Sequence, residues 1–356
     1  MDQSSKEGAA AELQALEARM AEASVFGQWQ VGATRPDNAT IGPSSNVSIE
    51  PKPGGDPFIW RWSTMEPFLV QSLEAMPESF TARRSLTLKN PTLPRGATHT
   101  MVVGLQTIGP GEIAWAHRHS ITALRFVIDG SKDVFTVVDG EPLPMEPYDL
   151  ILTPGWRWHD HHNRSDRPAV WLDALDVPLM MMLNQTFYEE LGEEMQQETT
   201  GVLAGSPLLR PVGGTVGAGG QVNRFPWAEV RRRLDSLASA KPSPFDGIAL
   251  EYCNPDTGGS TLATLGCWAQ MLPPGFKGEM HRHTSSAVYF VVGGAGCTKC
   301  GDSRMEWGRH DTFVVPNWSW HAHENLSETE PAFLFSVNDI PIMKPFGLYR
   351  EEPASN

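Results

Sequence analysis

The chain has 356 residues, a formal net charge of −14 and four cysteines. That length allows two or three domains with ample core, and the acidic balance argues against nucleic acid or an anionic membrane as partner. Four cysteines make no disulfide framework, so a cytoplasmic setting is the default, and no apolar run approaches the roughly 18 residues of a membrane span. The opening stretch MDQSSKEGAAAE lacks the basic and hydrophobic regions of a secretory signal.

In chain order, residues 9–24 place Leu13, Leu16 and Met20 at helical spacing, which predicts a short amphipathic helix packing on the body of the chain or on a partner subunit. Residues 34–56 are rich in Pro, Gly, Asn and Ser and read as irregular. Strand-like alternation begins near residue 84 and runs to about 180. The stretch Gly213 to Gly220 marks a boundary. A helix is expected over 226–240, with Pro226 at an early helical position and Arg231-Arg232-Arg233 as a solvated face. A second block of strands runs from about 247 to 345. The expected division is an N-terminal helix and arm (1–80), a first barrel (81–212), a linker (213–246), a second barrel (247–345) and a tail (346–356).

Two histidine clusters stand about 160 residues apart. The first reads Gly111, His117-Arg118-His119, Pro154, His159, Asn163; the second reads Gly275, His281-Arg282-His283, Pro316, His321, Asn325. In both, the glycine stands six residues before the first histidine, the proline five before the last, and the asparagine four after it. Alternation along a strand puts residues i and i+2 on one face, so HxH delivers two ligands to one point. A third histidine then arrives from a neighbouring strand. Three neutral imidazoles suit iron, copper, zinc or nickel. The flanks match too: Ala123, Phe126, Val127, Gly130, Asp149, Trp156, Trp158 and His161 correspond to Ala287, Phe290, Val291, Gly294, Asp311, Trp318, Trp320 and His323. A repeat of this period means two copies of one domain.

These spacings resemble the two motifs of the cupin superfamily, G(x)5HxH and P(x)4H(x)3N. The resemblance implies an all-β-dominated bicupin: two antiparallel β-barrel (jelly-roll) domains, with an N-terminal helix and a linker helix. Two departures stand out. The usual glutamate four or five residues after HxH is Ala123 and Leu124, or Ala287 and Val288. The usual glycine before the second-motif aspartate is Tyr148 or His310.

The copies differ where chemistry would need them to. Arg125 in the first copy corresponds to Tyr289 in the second, and a count of fourteen residues past the third histidine pairs Asp173 with Phe335. An arginine beside a divalent metal forms a receptor for an anionic ligand, most naturally a carboxylate, so catalysis is placed in the first copy. The stretches AHRHSITALRFVIDGSKDVFTVVDG, LILTPGWRWHDHHN and WLDALDVP, with Trp60-Arg61-Trp62, ARRSLTLKNPTL, RFPWAEVRRRL and EYCNPDTGG, are similar to the gentisate, salicylate and 1-hydroxy-2-naphthoate dioxygenase group. What the resemblance implies is one Fe(II) on His117, His119 and His159, and an ortho-hydroxy aromatic acid as substrate. Gentisate, giving maleylpyruvate, comes first, with salicylate, a nitro- or halosalicylate and 1-hydroxy-2-naphthoate as alternatives. The ring opens between the carboxyl-bearing and hydroxyl-bearing carbons, with both atoms of dioxygen incorporated. A homotetramer or similar assembly is also implied.

By the same resemblance Arg125 faces the substrate, Arg83 or Arg84 binds a further carboxylate, and His161 hydrogen-bonds substrate or oxygen and moves a proton. Asp173 is expected to act with them by orienting an imidazole. Gln106 joins the substrate-binding set, although Gln270 at the matching place argues for a supporting role. His281, His283 and His321 are candidates for a second metal, with a vestigial site as the bland reading. His162 reads as a surface neighbour, His99 and His310 as ordinary, and Trp115, Trp156 and Trp158 as packing or pocket aromatics. Cys297 and Cys300 read as incidental thiols in a hairpin. An oxygen-independent cupin decarboxylase or isomerase, and a non-catalytic storage or sensing bicupin, stay open beside the dioxygenase.

Overall fold

The computed structural model describes residues 3–25, 50–76, 84–198, 224–254 and 257–354. Residues 1–52 and 53–356 form two units. The first holds the helix Gln3–Glu22, which begins six residues before the periodic stretch read from the sequence. Arg83, the glycine-rich stretch 213–220 and most of 34–56 lie outside the described residues.

In the second unit, the strands form four antiparallel sheets, two to each barrel. The first barrel joins a six-stranded sheet, in the spatial order Arg224–Phe225, Leu150–Thr153, Ala123–Asp129, Ala169–Leu175, Val102–Ile108, Arg84–Thr87, to a five-stranded one. That smaller sheet runs Tyr188–Glu190, Ile113–His119, His159–Asn163, Ser131–Val138, Glu141–Met145. The second barrel repeats the plan. Its six strands are Phe58–Trp60, Thr312–Val315, Ala287–Gly293, Ala332–Asn338, Gly266–Leu272 and Ile248–Glu251, and its five run from Ser303–Trp307 to Glu351–Pro353.

The edge strands cross over. Phe58–Trp60, which precedes the first barrel in sequence, pairs with Thr312–Val315 of the second. Arg224–Phe225, which precedes the second, pairs with Leu150 and Ile151 of the first. The motif aspartates anchor both crossings. Asp149 accepts from Arg224 Nε and from the backbone of Trp227, each at 2.8 Å. Asp311 accepts from Arg61 Nη1 at 2.9 Å and from the backbone of Trp62 at 2.8 Å. Each aspartate thereby meets the first free N–H of a helix, Trp227–Ser236 or Trp62–Ala75, where negative charge is favourable. The first of these helices is the one expected over 226–240; it starts one residue later, with Pro226 as N-cap, and ends at Ser236, with Leu237 as C-cap. The second was not read from the sequence; Pro67 lies inside it and interrupts any clean apolar period.

The largest apolar layer lies between the two six-stranded sheets, and includes Leu124, Phe126 and Leu172 from one barrel with Phe290, Phe335 and Val337 from the other. Phe126 and Phe335 stack there with ring centroids 4.0 Å apart and planes 10° from parallel. This corrects the pairing of Phe335 with Asp173. Register sets Asp173 opposite Arg125 and Ser336 opposite Tyr289. The connection between Asn325 and Ala332 is one residue longer than that between Asn163 and Ala169, so a fixed count slips by one and lands on the opposite face.

Tyr148 and His310, which stand where glycine is usual, both have φ of +68°. Their phenol oxygen and imidazole Nε2 meet at 2.9 Å across the barrel junction, and they pack on Phe126 and Phe290. A left-handed backbone costs about 1–2 kcal/mol without glycine, offset here by contacts glycine could not make.

Truncating Phe335 to alanine removes the central ring of the shared layer, and Phe335→Ala is expected to destabilise the protein by about 3–5 kcal/mol. Guanidinium unfolding should show one cooperative transition moved to lower denaturant, rather than loss of the second barrel alone.

Candidate active site

The strand Ile113–His119 carries His117 and His119 on one face, and His117 lies opposite His159 on the strand His159–Asn163. Among the described residues, these are the one set of three His, Cys, Asp or Glu side chains whose donor atoms all lie within 4.8 Å of one another. Their rings are oriented by backbone carbonyls. His117 Nδ1 bonds Trp115 O at 2.9 Å, His119 Nδ1 bonds Ile121 O at 2.7 Å, and His159 Nδ1 bonds Arg157 O at 2.9 Å. A carbonyl only accepts, so each Nδ1 carries the hydrogen and each Nε2 keeps its lone pair for a cation. Burial, then Arg125 and the other two imidazoles, hold His159 well below the usual 6.5, and its Nε2 is buried without a partner. Neutral, desolvated and converging nitrogens fit a divalent transition metal.

The motif residues around the triad are structural. Gly111 turns at φ +76° and donates to Asn163 O, while Asn163 Nδ2 donates to Ile108 O and Arg167 O, tying the two loops together. Arg118, between the two ligands, points outward. It lies between Trp156 and Trp158, 4.4 and 4.5 Å from their centroids, and bonds Glu189 Oε2 at 2.8 and 2.6 Å.

Inside the barrel, Arg125 is 5% exposed; it donates to Thr153 Oγ1, and its Nε lies 3.5 Å from Asp173 Oδ1. Asp173 also accepts from Trp171 Nε1 at 3.1 Å. Asp173 thus meets the guanidinium and an indole, and Thr136 Oγ1 lies 2.8 Å from Nδ1 of the His161 ring. Gln106 is buried on the neighbouring strand, its Nε2 without a partner. Arg84 faces elsewhere: it gives two bonds to Glu112 at 2.7 Å and two to Met76 O, and so braces the barrel rather than reaching a ligand. His162 is buried, not a surface neighbour. It bonds Asp160 Oδ2 at 2.5 Å and stacks on Phe135, on the face of its strand away from the triad. A cavity of about 860 Å³ is lined by Ser120, Thr122, Trp156 and Phe187 of the first barrel and Asn254 and Leu262 of the second.

Thr136 was missed in the sequence, although a signal was there. Thr298 stands at the same distance before His323 and bonds its Nδ1 at 2.8 Å. The second triad itself closes almost as tightly as the first. Centroid separations are 5.6, 4.3 and 4.9 Å among His281, His283 and His321, against 5.4, 4.1 and 4.9 Å in the first. Cys297 and Cys300 are free and buried in the strand Gly296–Cys300, paired as a hairpin with Ser303–Trp307.

The Cupin domain family profile matches residues 104–175 and 268–338. The chain is 43% identical to a 1-hydroxy-2-naphthoate 1,2-dioxygenase from Nocardioides sp. (strain KP7), over 97% of its own length and 88% of the relative's. It is 41% identical to a 5-aminosalicylate 1,2-dioxygenase from Comamonas sp., over 87% and 84%. Among solved structures, a variant salicylate 1,2-dioxygenase from Pseudoaminobacter salicylatoxidans in complex with gentisate superposes with a TM-score of 0.82 at 32% identity, covering 97% of this chain and 95% of that one.

Burial holds His159 and His321 well below 6.5, and takes His283 to about 4 and His323 to about 3. These imidazoles stay neutral in the folded state but protonate near 6.5 once unfolded, so acid favours the unfolded chain. Metal-free protein should keep a constant urea midpoint above about pH 6.5 and lose stability steadily as pH falls from there toward 4. A midpoint unchanged between about pH 7 and 5 would contradict neutral burial.

Proposed function

The chain belongs to the family of bicupin ring-cleaving 1,2-dioxygenases of hydroxylated aromatic acids, and from that premise we propose that His117, His119 and His159 hold Fe(II) for cleavage of an ortho-hydroxy aromatic acid. The reaction class is an oxidoreductase one that incorporates both atoms of dioxygen. The observation that carries the assignment is the pairing of three neutral converging imidazoles with one buried guanidinium in the same barrel.

A ferrous ion held there would relay electrons from the spin-paired ring to dioxygen, with no net change in its own oxidation state. The rest falls to side chains. Arg125 supplies the positive charge for the substrate carboxylate, in a site dry enough for that charge to count. Asp173 and Thr153 keep its guanidinium from swinging, which makes Asp173 a positioning residue. Gln106 offers Nε2 as a neutral donor to a substrate oxygen. His161, set by Thr136, is placed to hold the proton that the phenol gives up and to return it as the product forms. Arg83 remains the candidate for a further substrate carboxylate, and Arg84 is released from that role by its bonds to Glu112.

Gentisate is the first substrate assigned, on the sequence resemblance and on the gentisate held by the superposed variant dioxygenase. A second reading, 1-hydroxy-2-naphthoate, has the 43% identical relative in its favour. Oxygen-electrode measurements on Fe(II)-loaded protein, with gentisate, salicylate, 5-aminosalicylate and 1-hydroxy-2-naphthoate in turn, separate them. One acid should consume dioxygen mole for mole with ring-opened product. Product without oxygen uptake would sink the proposal in favour of a decarboxylase or isomerase.

Two substitutions probe the roles. His119→Ala should abolish turnover and iron retention while circular dichroism stays native. Arg125→Met should raise KM for the preferred acid about 10- to 100-fold, the value of one charged hydrogen bond.

A further inference from the structure

The second barrel repeats the triad but inverts the charge around it. His281 Nε2 and His321 Nε2 are buried without a partner, on side chains 2% and 1% exposed. His283 Nδ1 and His321 Nδ1 lie against the carbonyls of Ser285 and Ser319, at 2.8 and 2.9 Å, so their Nε2 lone pairs are left for a cation as in the first barrel. His281 differs. Its Nδ1 bonds a carboxylate, Glu351 Oε1 at 3.2 Å, where its counterpart bonds a backbone carbonyl. A carboxylate behind an imidazole raises the basicity of the nitrogen on the far side and fixes the ring.

Other changes point the same way. Tyr289 and Ser336 replace the Arg125 and Asp173 pair at the same register. Trp268 stands opposite Ser336 where Gly104 stands opposite Asp173. Asp246 accepts from Gln270 Nε2 at 3.3 Å; burial raises its carboxyl above the usual range, and it attracts His281 while repelling Glu351. The first site pairs its one arginine with Asp173, so a bound divalent ion leaves a positive excess for an acid substrate to cancel. In the second, a bound ion would favour the ionised form of Asp246, so that Asp246 and Glu351 together would balance it, and the side chains at the arginine and glycine positions are large rings.

We propose that His281, His283 and His321 hold a divalent transition-metal ion in a charge-balanced site that takes no aromatic acid and fastens the strand Glu351–Pro353 to its barrel. That strand pairs with His281–His283, and Glu352 bonds Arg282 at 2.9 and 3.1 Å, so the ion would lock both elements at one point. The assignment is independent of which acid the first barrel cleaves.

The test uses full-length protein stripped with a chelator, reloaded with Zn²⁺ alone, freed of loose metal by gel filtration and counted by mass spectrometry. Wild type should hold two ions per chain, and His159→Ala and His321→Ala one each. Glu351→Gln should weaken one of the two ions about 10- to 100-fold. Zn²⁺ should also raise the melting temperature of His159→Ala protein, a readout that survives if His321→Ala fails to fold. His159→Ala/Arg125→Met protein, still holding its ion, should show no saturable salicylate binding in equilibrium dialysis. One ion in wild type, or no thermal shift in His159→Ala, overturns the site; salicylate binding by the double variant overturns its charge-balanced character.

Discussion

Three imidazoles can share one cation only if each ring presents a bare nitrogen to it, and in this protein the backbone enforces that condition. The carbonyls of Trp115, Ile121 and Arg157 each take an Nδ1 hydrogen, so each tautomer is set before a metal arrives. The carbonyls are those of residues two positions away, Trp115 within its strand and Ile121 and Arg157 just beyond strand ends, so the local backbone delivers them. Everything else in the first barrel serves that arrangement. The outward Arg118, between two indoles and on Glu189, holds the ligand strand from behind. The Asn163 amide closes the loops at the far end.

Because alternation is so strict, the converging triad was legible from spacing. HxH and a third histidine some 40 residues on specify a face and a neighbouring strand, and duplication removed chance as an explanation. The same strictness explains the error at Phe335. Counting from the third histidine assumes equal connections, but one is longer by a residue, and a slip of one turns a residue from the barrel interior to the junction. Pairing across strands, Arg125 with Asp173 and Tyr289 with Ser336, was the quantity to compare. Arg84 stood open, as a carboxylate binder or a brace of the barrel, for a different reason. Its partner Glu112 lies in the turn before the ligand strand, and nothing in the local sequence shows that the two meet. The crossing of the edge strands was equally hidden, since it is a long-range pairing with no periodic signature.

Those crossings make the two barrels one body. Each barrel borrows a strand from the segment that precedes the other, and its motif aspartate holds the start of the helix that follows, whose body packs on its own barrel. This gives a reason for the two positions at φ +68°, where glycine would relieve the backbone. Tyr148 and His310 meet across the junction, so the strain is offset by a contact that exists only when both barrels are in place. The repeat is therefore used twice: within each barrel to gather histidines, and between barrels to fasten them.

Joined so closely, the copies were free to diverge in charge without diverging in fold. A triad of neutral histidines adds no charge of its own, so what a bound ion attracts is decided by the residues beside it. In the first barrel the neighbours are an arginine and its countercharge, and the ion's charge is left for an acid to meet. In the second the neighbours are two carboxylates and two large rings. On the roles proposed for the two triads, the difference between a centre that draws in an aromatic acid and one that does not comes down to Arg125 against Tyr289 and Gly104 against Trp268. The register of the sheets sets each pair at equivalent places in otherwise matching barrels.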